Sequence, residues 1–247
     1  MISLSVSAFN SSFPWKKMER KRNTSPRRSP PASKATTVGG VARSKRRRGT
    51  REGTRQRLVD AAIAIIRREG IDGLTTVKVT QAAGIVQSGF YMHFANIGDL
   101  KRAAAEQVAS EVADFVAEHR RAGQDTRGDT NSVVEHYQQV LKLFLFERRF
   151  AEMLIRFRHD PSPLGTVLRE LLSRIRKDLI ADLHRQVQEL QGAAPDDARI
   201  KIYADILLGM VMALGEALLE GRFEDPELLA RELTISSIAI ATAAMEH

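Results

Sequence analysis

Thr75–Leu100 reads TTVKVTQAAGIVQSGFYMHFANIGDL, and the order of helix starts and stops within it sets the class of the whole chain. Thr75 stands where a side-chain oxygen caps a short helix carrying Thr76, Val79, Ala82 and Ala83. Gly84 suits the left-handed turn that ends it. Gln87 to Phe94 make a second, equally short helical segment, and Asn96 with Asp99 form a capping pair opening a third. Ala82, Ala83 and Gly84 are small enough for two helices to cross closely, while Ile85 and Phe90 point inward to fix the crossing angle. Two short helices crossing at a glycine turn can place one in a major groove about 12 Å wide while the other braces it across the backbone.

Upstream, Leu58, Ala62, Ile65 and Ile66 share one helix face, with Thr54 expected as the N-cap and Gly70 as the stop. Residues 1 to about 50 hold Ser, Pro, Gly and Arg without apolar periodicity and are expected to be a disordered arm. The start, MISLSVSAFNSSFPW, has neither a charged segment before it nor a continuous apolar stretch. It is expected to be a disordered extension, or sequence upstream of a translation start at Met18, and not a secretion signal.

Downstream, a helix is expected from Asn96 to about Arg121, a polar loop over 123–129, and a helix over 133–157 with a break near Arg148. A turn at Pro161 and Pro163 then leads to helices over about 165–190, 197–220 and 226–245. With no strand-like alternation, the expected fold class is all-α. The expected parts are an arm over 1–50, a helix-turn-helix domain over 51–98 and a larger helical domain over 99–247.

The net charge of +8 averages two unlike regions. Residues 1–57 hold 16 Lys and Arg against 2 acids, and the remainder holds 22 against 28. Such asymmetry points to a polyanion reached through the arm. The absence of cysteine excludes disulfides and thiolate metal sites and fits a reducing cytoplasm. No apolar run approaches the ~18 residues of a membrane span, so no membrane partner is expected. No His pair has metal-binding spacing, and no nucleophile–base motif or phosphate loop is present. Neither catalysis nor a metal or cofactor is therefore expected.

The candidate DNA contacts follow from residue chemistry. Gln87, Ser88, Gly89 and Met92 would meet base edges, since Gln bonds adenine, Ser bonds several edges and Met touches a thymine methyl. Tyr91, His93, Thr54, Thr75 and Thr76 offer polar tips to phosphate oxygens. Lys45, Arg46, Arg47, Arg48, Arg51 and Arg55 would neutralise the backbone, against the alternative of a merely solubilising tail. Tyr91 and Phe94 could instead be core aromatics, and His93 could cap a helix end.

Thr54–Leu100 resembles the DNA-binding domain of TetR-type transcriptional regulators. The residues that carry the likeness are Thr54-Arg55, Leu58, Ala61, Thr75-Thr76, Val79, Ala83-Gly84-Ile85, Phe90-Tyr91, His93-Phe94 and Leu100. Three positions depart from that pattern: Val86 replaces a capping Ser, Ile97 replaces a phosphate-binding Lys, and Thr80 replaces an Ala. The resemblance implies a larger helical domain that binds a small-molecule effector and pairs two subunits.

Candidate pocket residues are Tyr137, Phe144, Met153, Arg156, Phe157, Tyr203 and Met210, with Leu141 and Met212 beside them. His136, Arg158 and His159 stand out as polar groups among apolar ones, and a buried Arg there could pair with an anionic ligand. The last two helices carry broad apolar stripes with small Gly209, Ala213, Gly215 and Ala217, which the resemblance assigns to a homodimeric four-helix bundle and which could equally pack internally. The expected function is a cytoplasmic, nucleoid-associated repressor that binds a palindromic double-stranded DNA operator as a homodimer and leaves it on binding effector. The alternative is a helical binding module with a vestigial helix-turn-helix, whose arm alone binds DNA non-specifically.

Overall fold

Burial of one apolar stripe after another organises the chain into helices, and the computed structural model describes residues 40–125, 130–191 and 196–245. Of residues 40–50 only the backbone is described. The helices are α1 Gly40–Glu69, α2 Thr76–Ala83, α3 Gln87–Phe90, α4 Ile97–Asp125, α5 Thr130–Phe146, α6 Arg148–Phe157, α7 Pro163–Gln191, α8 Asp197–Leu219 and α9 Pro226–Met245. A single 3-10 turn, Ile71–Gly73, follows α1, and no strand occurs among the described residues.

Local chemistry sets most of the ends. Thr75 caps α2 by accepting from the Lys78 amide at 3.3 Å. Gly84 closes α2 in the left-handed region at φ 66°, where its backbone carries no Cβ penalty. Asn96 accepts from the Asp99 amide at 3.0 Å to start α4. Asp196 accepts from the Ala198 amide at 2.9 Å to start α8.

Three expectations need correction. Helix α1 begins at Gly40, so Thr54 is an interior residue whose hydroxyl accepts from the Arg57 guanidinium at 3.3 Å. Lys and Arg are good helix formers and no proline stands between Pro31 and Pro161, so nothing halts the helix earlier. The arm's expected disorder over 1–39 lies outside the described residues. Helix α3 stops at Phe90, because the next backbone bonds tighten to the i−3 type, Met92 to Gly89 and His93 to Phe90. Last, α8 is long and apolar enough to cross a membrane by length and composition. Its apolarity has a local use, since one side packs against α5, α7 and α9.

In the body, α4 lies along α7 and α9 along α5, with α8 against α5, α7 and α9. Gly215 on α8 permits one of these contacts: a Cβ there would fall inside van der Waals distance of the Phe144 ring. Gly215 and the buried Ala217 thus serve packing within the subunit, whereas Gly209 and Ala213 remain exposed.

One apolar core joins the N-terminal helices to the body. Leu58, Ile66, Val79, Phe90 and Leu100 share a cluster with Phe150, Met153, Leu154 and Leu168. Across the same boundary Arg67 of α1 pairs with Glu147 at 2.9 Å, and Arg156 of α6 pairs with Asp72 at 2.6 Å. Glu147 occupies the break between α5 and α6 and is buried, and burial pushes its carboxyl up from 4.5 against the pull of Arg67.

A raised folded-state pKa means that ionising Glu147 costs the folded protein more than the unfolded chain. The favourable contribution is complete below pH 4.5 and is lost as pH rises through the raised value. Glu147→Gln cannot ionise, so its thermal midpoint should gain on that of the wild type as pH rises from 4.5 toward neutrality. A pH-independent difference between the two would contradict this.

Candidate nucleic-acid interface and internal cavities

The turn at Gly84 leads into α3, and Gln87, Ser88, Tyr91 and Met92 are exposed. Tyr91 is 60% exposed and Met92 66%. Phe90 turns the other way and is fully buried, with Phe94 at 5.8 Å between ring centres. Of the two aromatics weighed as core residues, Phe94 is buried and Tyr91 is not.

The other expected contacts divide. Thr75 is exposed and Thr76 half-buried at the start of α2. Gly89 is half-buried, and a Cβ there would lie 2.9 Å from the Ile85 side chain. Arg51 donates to the Met92 carbonyl at 3.0 Å, and the Arg55 guanidinium sits 5.1 Å from the centre of the Phe94 ring. These two cations therefore tie α1 to the end of the exposed segment. Burial, then Arg51 and Arg55, hold the half-buried His93 imidazole below its usual 6.5, against Glu52. The side chains of Lys45, Arg46, Arg47 and Arg48 lie outside the described residues, although their backbone is part of α1.

The three departures have separate outcomes. Val86 occupies the N-cap of α3 with no side-chain bond and is 73% exposed. Ile97 is half-buried and packs against the core. Thr80 is buried, and its hydroxyl donates to the Thr76 carbonyl at 2.9 Å, so the extra oxygen carries no unsatisfied penalty.

Cavities among the described residues of the body include two on α4, α5 and α7. One of about 70 Å³ has a wall of apolar side chains, among them Val112, Val116, Val140, Phe144 and Met212, with Glu147 also in it. A larger one of about 190 Å³ is lined by Arg120, His136, Tyr137, Asp182, Gln186 and Ser237 with apolar neighbours. Of the expected pocket residues, Phe144 lines the first and Tyr137 the second. Met153 is core, Phe157 packs on the same core, and Tyr203 and Met210 pack around the apolar cluster of α7 and α8. Arg156 is a surface residue, because its partner Asp72 is itself exposed. Arg120 is half-buried, ion-paired with the buried Asp182 and 3.3 Å from Asp178. Neither Arg120 nor Asp182 stood out in the sequence. Asp182 beside Leu179 and Leu183 was the available signal, a lone acid on an otherwise apolar face.

Residues 58–104 match the sequence family described as bacterial regulatory proteins, tetR family. The chain is 21% identical over 131 residues to the biofilm operon icaADBC HTH-type negative transcriptional regulator IcaR of Staphylococcus epidermidis, covering 52% of this chain and 66% of that one. It is 41% identical over 58 residues to the class D tetracycline repressor protein of Escherichia coli, covering 24% and 25%. The chain thus spans just under two thirds of the first relative's length and a quarter of the second's. A tetR-family transcriptional regulator from Streptomyces coelicolor has a similar fold, with a TM-score of 0.63 at 15% identity over 78% of this chain and 82% of that one.

Val86→Ser would supply the missing cap of α3, and a gained N-cap is worth about 1 kcal/mol. Calorimetric unfolding should show a higher midpoint for this variant. An unchanged midpoint would mean that α3 draws its whole stability from Phe90.

Proposed function

We propose that this chain, which belongs by its DNA-binding domain to the tetR family of bacterial regulatory proteins, is a transcriptional repressor that binds a palindromic operator as a homodimer and is released by a small molecule. The observation that carries this reading is the exposed Gln87, Ser88, Tyr91 and Met92 on a segment anchored from behind by Phe90. Gln and Met can read base edges, while Tyr91, Thr75 and Thr76 suit phosphate oxygens. Arg51 and Arg55 lie close enough to add positive potential there. Both curated relatives are negative regulators or repressors by name, which favours repression over activation.

Pairing is supported by α8 and α9. Ile202, Ile206, Ile235 and Ile238 are exposed apolar side chains on these helices, and Gly209 and Ala213 leave room for a close partner. A two-fold axis through such a face would set two reading segments one helical turn of DNA apart, about 34–36 Å. Effector release is supported by the two cavities and by Glu147, which stands both in the apolar cavity wall and in the ion pair to α1. A ligand that prefers one arrangement of α5 and α6 would bias the spacing of the reading segments. Such a protein works on DNA inside the cell, in the cytoplasm.

Footprinting of the gene's own upstream region should reveal a protected palindrome, and none at low salt would overturn the proposal. Gln87→Ala should lose about 1–3 kcal/mol on the operator and little on random duplex. Removing residues 1–49 should flatten the salt dependence on both, by about 0.9 in log–log slope per lost phosphate contact. Equal affinity for operator and random DNA at every salt concentration would favour the alternative of a non-specific arm on a binding module.

A further inference from the structure

The two cavities are lined by successive turns of the same helices. On α4 the apolar cavity takes Val116 and the polar one Arg120. On α5 they take Val140 and His136, and on α7 Ile175 and Leu179. Each step is four residues, one helical turn, so the polar and apolar spaces lie end to end along the bundle.

The charges of the polar end are already matched. Arg120, largely buried, forms an ion pair with Asp182 and lies 3.3 Å from Asp178. Asp182 also accepts from Arg185 at 2.8 Å. An anionic ligand would have to displace an aspartate from Arg120, and a cationic one would meet Arg120 itself. Either leaves a buried charge without its partner, which is costly.

Beside this ion pair stands neutral hydrogen-bonding capacity. The Nδ1 of His136 is buried without a hydrogen-bond partner among the described residues. Burial first, then Arg120 and His119, push this imidazole down to about 4 against Asp182, so it is uncharged at neutral pH. A buried polar atom of this kind normally has a partner. The sizes are equally restrictive: an apolar cavity of about 150 Å³ takes one benzene ring. The polar cavity, about 190 Å³, therefore suits a single ring, and the apolar one, about 70 Å³, a short alkyl group.

We propose that the body takes a compact uncharged amphiphile, a ring-sized molecule whose hydroxyl bonds His136 Nδ1 and whose short alkyl group enters the apolar cavity beside Phe144. The inference rests on the effector reading above and names the chemical class of the effector.

The test titrates the full chain with 4-propylphenol, propylbenzene, 4-propylbenzoate and 4-propylbenzylamine, following heat and thermal midpoint. The phenol should bind about tenfold more tightly than propylbenzene and than either ion. His136→Phe should erase the preference for the phenol over propylbenzene, while His136→Gln, which keeps an amide at the site, should retain it. Circular dichroism checks that both variants are folded. Binding of an ion as tight as that of the phenol, an undiminished preference in His136→Phe, or no binding by any of the four would overturn the proposal. The titration contains no DNA, so the two readings fail separately. A phenol that binds in this way without altering operator affinity counts against effector release alone. A charged molecule that releases the operator from the same cavity counts against this inference alone.

Discussion

The burial of Phe90 is the contact on which the exposed segment from Gln87 to Met92 depends. Helix α3 has four residues and no side-chain cap, far too little to be stable alone. It persists because the Phe90 ring is fully enclosed, with Tyr91 edge-on at 5.3 Å and Phe94 at 5.8 Å. Gly84 supplies the turn that lets α3 lie across α2, and Arg51 and Arg55 hold the residues beyond it from the other side. The segment that faces outward is thus positioned by what faces inward.

That inward anchor belongs to the same apolar cluster as Phe150, Met153, Leu154 and Leu168 of the body. The two parts share this cluster, and polar contacts reinforce the apolar ones. Arg67 holds the buried Glu147, and Arg156 holds Asp72 in the turn after α1. Glu147 sits where α5 gives way to α6 and contributes to the wall of the apolar cavity. A packed core of this kind moves between discrete arrangements rather than deforming smoothly, which is what a two-state response to a cavity ligand needs.

The parts of this architecture that were legible in the sequence are those decided within a few residues. Thr75, Gly84 and the Asn96–Asp99 pair act on their own backbone, so the ends of α2 and the start of α4 followed from residue type and spacing. The break at Glu147 and the bounds of α8 and α9 were likewise local. The start of α1 was missed because a basic, glycine-punctuated stretch reads as irregular when helix propensity is weighed without its continuation. Arg120 and Asp182 were missed because their significance arises only when α4 and α7 lie side by side. Arg156 was assigned to a pocket because apolar residues surround it in sequence, yet α6 turns it outward to Asp72. The sequence leaves Gly215 open between a subunit contact and internal packing, and the neighbour that meets its missing Cβ is Phe144 of its own chain.

The central claim is that a short segment with no stability of its own, anchored by Phe90, reads DNA sequence. Selection of bound duplexes from a random pool by the full chain tests it most directly. The account predicts a two-fold symmetric consensus with half-sites about one helical turn apart. Recovery of no consensus, with binding that vanishes uniformly as salt rises, would contradict it.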